Sequence, residues 1–204
     1  MRAYGYLSET TLGGQYFRGK TRSGAEFFMS DLEIQIASNA KAIFLDGTFC
    51  TTPRPFYQTL YIRAKVGDNV FTIGHALLPN KHESSYFEVL EMLKSVCAAA
   101  DHPVGFTDVH CDAERAIINS VRRVFPDSNI NLCWFHTAKS IRRQAATLGL
   151  TDLISKNPEF AKFVERCRNI FFLPAELWAR TWTKMLESLG DGLQTIPAVQ
   201  LFIR

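Results

Sequence analysis

The chain has 204 residues, 47% of them apolar and 21% charged, enough for one good-sized domain with an appendage and too apolar for a disordered segment. A net charge of +3 does not by itself identify a polyanion partner. No apolar run is long enough to span a bilayer, and no signal-peptide pattern opens the sequence.

Residues 1–30 are rich in Gly, Ser, Thr and Arg and carry little periodicity, so they read as a lead-in without a core of its own. Asp31 to Asn39 then predicts a short helix, with Leu32 and Ile36 at the spacing that buries one face. Lys41 to Cys50 is the stretch around which the rest is organised. Its apolar run, Ala42-Ile43-Phe44-Leu45, has the length of a central strand covered on both faces, and it closes on Asp46-Gly47. Asp-Gly is also a strong hairpin-turn signal, so a simple turn is the competing reading. Thr51 to Pro55 is a breaker-rich loop. Phe56 to Val66 alternates as a strand with one wet face, Gly67-Asp68-Asn69 turns it, and Val70 to Leu78 returns as its partner. These three strands form an antiparallel meander.

Ser85 with Glu88 three residues on reads as a capping box, followed by the helical stripe Tyr86, Leu90, Leu93 and Val96 or Cys97. Val104 to Cys111 is the next strand. It runs into a helix whose apolar face is Ala113, Ala116, Ile117, Val121 and Val124, stopped by Pro126. Ile130 to Trp134 is a last short strand. Helices are expected over 136–148, 158–171 and 174–189, with Pro174 suited to the first turn of the third. The five cysteines, at 50, 97, 111, 133 and 167, follow no disulfide framework and read as reduced thiols of an intracellular protein.

Three strands, helix, strand, helix, strand and then helices is the order of an α/β protein: a mixed five-stranded sheet flanked by helices, ribonuclease H-like in its sequence of elements. In that fold the first and fourth strands lie parallel and adjacent, so acids at their carboxyl ends meet. Asp46 and Asp112 occupy those places. Asp112 has a competing role as the N-cap of the following helix. Asp108 shares its strand parity, but a ligand belongs at the strand's end, which favours Asp112. Two converging carboxylates repel one another unless a cation lies between them. A pair of Mg²⁺ or Mn²⁺ ions about 3.5–4 Å apart would relieve this and act on a phosphodiester.

Cys133 and His136 sit three apart at a helix start and can share a face. Zinc needs about four ligands, and the nearest other pair, His110-Cys111, points to opposite faces of a strand. A packed thiol beside a hydrogen-bonded imidazole is therefore preferred to zinc. Lys139, Arg142 and Arg143 share one side of a helix, and Arg122 and Arg123 stand on the preceding one. Such runs are solvated faces or, beside a metal site, tracks for a phosphate backbone.

Several motifs in order resemble Mutator-like element (MULE) transposases. They are Asp46-Gly47-Thr48-Phe49, Pro53-Arg-Pro-Phe-Tyr57-Gln58 and His75-Ala-Leu-Leu-Pro-Asn-Lys81. Further on come Asp112-Ala-Glu114-Arg-Ala116-Ile-Ile-Asn119, Val124-Phe-Pro126, Cys133-Trp-Phe-His136 and Phe171-Phe-Leu-Pro174. The resemblance covers residues 27–204. It implies a ribonuclease H-like core with two Asp and one Glu, interrupted by a helical insertion. Asp46 matches the first acid, Asp112 the second, and Cys133 and His136 a supporting C-x-x-H element. The resemblance further implies metal-dependent DNA cleavage and strand transfer, Mg²⁺ or Mn²⁺ as cofactor and double-stranded DNA (element ends and target) as partner. A nuclear location, no membrane and a homo-oligomer in the intact protein go with it. Its Glu follows the insertion, and Glu165, Glu176 and Glu187 are not assigned that role. The organisation expected is a lead-in over 1–40, a partial core over 41–150 and a truncated helical insertion over 151–204. The chain so read is a fragment lacking the third acid and inactive as given; the alternative is a domesticated or decayed derivative that binds DNA or protein without catalysis.

Overall fold

The structure is a computed structural model and describes residues 8–203. The chain divides into two compact units, the first ending at Leu132 and the second beginning at Cys133.

The first unit contains, in chain order, β1 (Phe17–Lys20), β2 (Glu26–Phe28), α1 (Asp31–Ser38), β3 (Ala42–Thr48), β4 (Gln58–Val66), β5 (Asn69–Leu78), α2 (Glu83–Ala99), β6 (Asp108–Cys111), α3 (Arg115–Val124) and β7 (Asn129–Leu132). The strands form one mixed sheet in the order β1-β2-β5-β4-β3-β6-β7. β3 pairs antiparallel with β4 and parallel with β6, and β6 pairs parallel with β7.

The sheet therefore has seven strands where five were expected. The two additions come from the Gly- and Arg-rich opening, and β2 joins the outer edge of β5 through Glu26–Leu77, Phe27–Ala76 and Phe28–His75. Phe27 and Met29 are fully buried. Three residues carry too little alternation to read as a strand, because Phe27 faces the shared core while Phe28 stacks on His75 across the other face.

One core unites Ile43 and Leu45 of β3, Leu60 and Ile62 of β4, Val109 and Cys111 of β6, and the apolar faces of the three helices. α1 buries Ile34 and Ala37, leaving Leu32 exposed, so its inward face is turned from the one the spacing suggested. The capping box also lies elsewhere. Ser30 Oγ accepts the Glu33 N–H at 3.3 Å and the Glu33 carboxylate accepts the Ser30 N–H, sealing the start of α1. Such a cap contributes about 1 kcal/mol. Ser85 instead lies inside α2, which starts two residues earlier, and its hydroxyl donates to Asn80 Oδ1 at 2.9 Å. Asn80 Oδ1 also accepts the His82 N–H, so an Asx turn begins this helix.

The second unit is helical: α4 (Trp134–Thr147), α5 (Thr151–Lys156), α6 (Pro158–Asn169), α7 (Trp178–Glu187), α8 (Asp191–Gln194) and α9 (Pro197–Phe202), with 3₁₀ turns at Ile170–Phe172 and Ala175–Leu177. Its core holds Ala145, Leu150, Phe160, Phe163, Val164, Cys167, Met185, Leu189 and Val199. Pro174 precedes a 3₁₀ turn, and the regular helix starts only at Trp178. No helix among the described residues is long and apolar enough to cross a membrane.

Candidate active site

Asp46 lies within β3, opposite Tyr61 of β4, and the strand continues through Gly47 to Thr48. The Asp-Gly pair is therefore not a hairpin turn. The chain stays extended because Leu60 and Thr59 of β4 pair with Gly47 and Thr48 and carry the ladder to the end of β3. Gly47 answers a packing demand here: a Cβ at this position would stand 3.1 Å from Gln58 Oε1.

Phe44 is in register with His110 across the parallel pair, and their rings stack at 4.6 Å with 18° between planes. Side chains alternate faces along a strand, so residues two steps on share the face of this stacked pair. Two steps on are Asp46, inside β3, and Asp112, one residue past the end of β6. Asp112 does not cap α3. That helix begins at Arg115 with Glu114 at its N-cap position, and Asp112 Oδ1 accepts the Ala113 N–H at 2.7 Å within the intervening turn. Asp108 lies at the opposite end of β6, in register with Ala42. Its carboxylate accepts from Thr107 Oγ1 at 2.9 Å, which is the main reason its pKa falls below the ordinary Asp value.

The surroundings of the two acids are polar and partly buried. Arg63 Nη1 lies 3.6 Å from Asp46 Oδ2, with both side chains 41% exposed, and the same guanidinium covers the Tyr61 ring. An ion pair so exposed contributes little stability. Beneath the acids runs a hydrogen-bonded chain. Buried Gln58 donates its Nε2–H to the Tyr86 hydroxyl at 2.6 Å, and Tyr86 donates to Glu114 Oε1 at 3.4 Å. Glu114 is also ion-paired with Lys81. Burial, with the negative charges of Glu114 and Asp112 adding to it, pushes the Tyr86 hydroxyl well above its ordinary pKa. It stays protonated and is a permanent donor.

This chain joins the start of β4, α2, the turn after Asp112 and the segment that follows β5. Sequence reasoning passed over it, although Glu114 and Lys81 stand in the motifs quoted above. The signal lay in the invariable need of a buried Gln and Tyr for partners, which no local pattern reveals.

Residues 42–140 match the family model of the MULE transposase domain. This stretch is a MULE transposase domain. Among curated proteins none matches the chain. The matched region starts with the first residue of β3 and so holds Asp46, Asp112, Glu114, Cys133 and His136 of the MULE domain, but neither β1 nor β2.

Cys133 is the N-cap residue of α4, where its carbonyl accepts the Thr137 N–H and hydroxyl, both at 3.1 Å. The His136 ring meets Phe135 edge-on at 5.6 Å. Lys139, Arg142 and Arg143 are exposed on α4, whose buried side is Ala138 and Ala145. In the first unit Arg122 is exposed. Arg123 is engaged locally, with Nη1 3.1 Å from Glu83 and its guanidinium 3.8 Å from the centre of the Phe87 ring. Among the described residues no group of three or more His, Cys, Asp or Glu stands together in a way suited to a metal ion.

Proposed function

We propose that this MULE domain is built as a ribonuclease H-like, metal-dependent phosphodiester-transfer core acting on double-stranded DNA. The order β5-β4-β3-β6-β7, with β4 alone running antiparallel to the other four, supports the fold. One observation supports the site: the stacked, in-register Phe44–His110 pair, which Asp46 and Asp112 each follow by two residues at the same edge of the parallel pair.

The donor set fits a hard divalent cation. Both candidate ligands are carboxylates, and Asp46 already attracts a cation in Arg63. Asp46 and Asp112 would hold Mg²⁺ or Mn²⁺, which supplies Lewis-acid activation of a phosphodiester and of its attacking oxygen. The chain's own residues orient these acids. The strand ladder fixes Asp46, and the short turn closed by its bond to Ala113 N–H fixes Asp112. The exposed cations Lys139, Arg142 and Arg143 on α4, together with Arg122, suit sequence-independent contact with phosphates. Arg123 contributes less on this reading because Glu83 holds it.

The test is Mn²⁺ titration by calorimetry of the 204-residue chain beside its Asp46→Asn and Asp112→Asn variants, with DNA binding measured in parallel. Binding that each substitution abolishes, while the variants keep their far-ultraviolet spectrum and their affinity for duplex DNA, is the expected result. Mn²⁺ binding indifferent to both changes would refute the assignment. DNA binding with no metal uptake would make the chain a binding module without catalysis.

A further inference from the structure

The loop that leaves the acid-bearing strand carries two large rings into solvent. Phe49, three residues past Asp46, is 47% exposed, and Tyr57, at the loop's other end, is 55% exposed. They meet edge to face with centroids 5.6 Å apart. Most aromatic side chains of this unit are packed into the sheet or its covering, so two adjacent exposed rings beside polar, charged groups are unusual for a folded chain.

The loop that presents them is ordered from within. Thr52 Oγ1 donates to the Thr48 carbonyl at 2.9 Å and lies 3.0 Å from Thr59 Oγ1, the Thr52 N–H reaches the Phe49 carbonyl, and the Tyr57 N–H is held by the Leu78 carbonyl at 2.8 Å. A cation flanks the pair: Lys81 Nζ lies 5.3 Å from the Phe49 ring centre while ion-paired with Glu114, two residues from Asp112. Arg54, exposed on the same loop, adds another. Rings, cations and the acid-bearing edge are thus tied together by direct contacts within one unit.

We infer that Phe49 and Tyr57 form a stacking subsite for an unpaired nucleobase next to the phosphodiester engaged at Asp46 and Asp112. This rests on the DNA-acting reading above and names what that site would take beyond the phosphate. An exposed aromatic ring offers a base its π-face without selecting sequence, and neighbouring lysine and arginine attract the attached backbone. A purely apolar partner would have to desolvate Arg54 and the Lys81–Glu114 ion pair without offering either a polar contact. A base in an intact duplex keeps its faces occupied by its neighbours, so the subsite favours a strand end, overhang or mismatch.

The experiment compares two probes by fluorescence anisotropy: a blunt duplex and the same duplex with a three-nucleotide overhang carrying 2-aminopurine. The proteins are the wild-type chain, Phe49→Ala/Tyr57→Ala, Phe49→Leu/Tyr57→Leu and Phe49→Tyr. The wild type is expected to favour the overhang and quench 2-aminopurine. Both double variants lose that preference by about ten-fold without weakening on blunt duplex, while Phe49→Tyr retains it. Because the rings are exposed, these substitutions leave the fold intact, which circular dichroism checks. Equal overhang affinity in wild type and double variants overturns the inference, as does an equal loss on both probes. A change in sedimentation between wild type and double variant, with no change on DNA, assigns the rings to chain–chain contact and also overturns it. Failure of the wild type to bind either probe refutes the DNA-acting reading itself, a distinct outcome.

Discussion

Replacing Gly47 by Ala sets two effects of opposite sign against each other, and the structure decides between them. Gly47 does not occupy the left-handed region. On backbone grounds alone the added methyl would stabilise by about 0.4–1 kcal/mol, by restricting the unfolded chain. In the fold, however, the new Cβ stands 3.1 Å from Gln58 Oε1 and 3.5 Å from Gln58 Cδ. Gln58 is only 1% exposed, and its amide is tied to the Tyr86 hydroxyl at 2.6 Å. It cannot retreat without lengthening that bond. Overpacking costs about 1–3 kcal/mol, and a compromised buried hydrogen bond a further ~1–3 kcal/mol when fully broken. A partial shift of Gln58 leaves a net destabilisation of about 1–3 kcal/mol once the chain-entropy gain is subtracted. The assay is denaturant unfolding followed by far-ultraviolet circular dichroism. All three tryptophans, at 134, 178 and 182, belong to the helical unit, so their fluorescence does not report on the sheet. In a Gln58→Ala background the penalty of Gly47→Ala should shrink, because the obstructing amide is gone. A neutral or stabilising Gly47→Ala, additive with Gln58→Ala, would refute the reasoning.

Arg142→Ala and Arg143→Ala are each expected to weaken DNA binding alike for all sequences and to reduce the slope of log affinity against log salt by about 1; a sequence-selective loss would show that this face of α4 does not track phosphate. Burial holds His75, stacked on Phe28 and bonded through Nδ1 to the Tyr16 hydroxyl, below the ordinary His pKa. The unfolded chain then takes up the proton first, so the stability present above pH ~6.5 declines as pH falls from there, by at most about 1.4 kcal/mol per pH unit. His75→Phe should flatten that decline, with a remainder from His110, whose pKa burial also lowers; an unchanged pH profile would contradict the assignment.

The central strands were legible because period-two alternation in Gln58–Val66 and the apolar run of Ala42–Leu45 both reflect burial. Their pairing order followed from the connections, since a meander and then two helix–strand units leave few ways to form a sheet. Asp46 stood out because an acid terminates an apolar run. What escaped notice depended on partners remote in sequence. Glu26–Phe28 is a strand only because β5 offers an edge. Ser85 looked like a cap only until Asn80, five residues earlier, claimed its hydroxyl. The Gln58–Tyr86–Glu114–Lys81 chain spans four separate segments, each unremarkable alone. Helix faces suffered in the same way: Ile34 and Ala37 are inward because α1 must meet β4 and β5 at a particular rotation.

The edge pairing of β2 with β5 has a practical consequence for anyone isolating the MULE domain. The stretch by which the family is recognised, 42–140, leaves out β1, β2 and α1 of the first unit and ends inside α4. A chain cut at residue 42 would lose Phe27 from the core and uncover the β5 backbone beside Ile73, Ala76 and Leu78, a run apolar enough to recruit a strand from another molecule. Cutting after residue 140 would sever α4 at its midpoint, since that helix continues to Thr147. The opening hairpin thus works as a sheath over a sticky border, and solution work on the acid-bearing strands has to keep it in place.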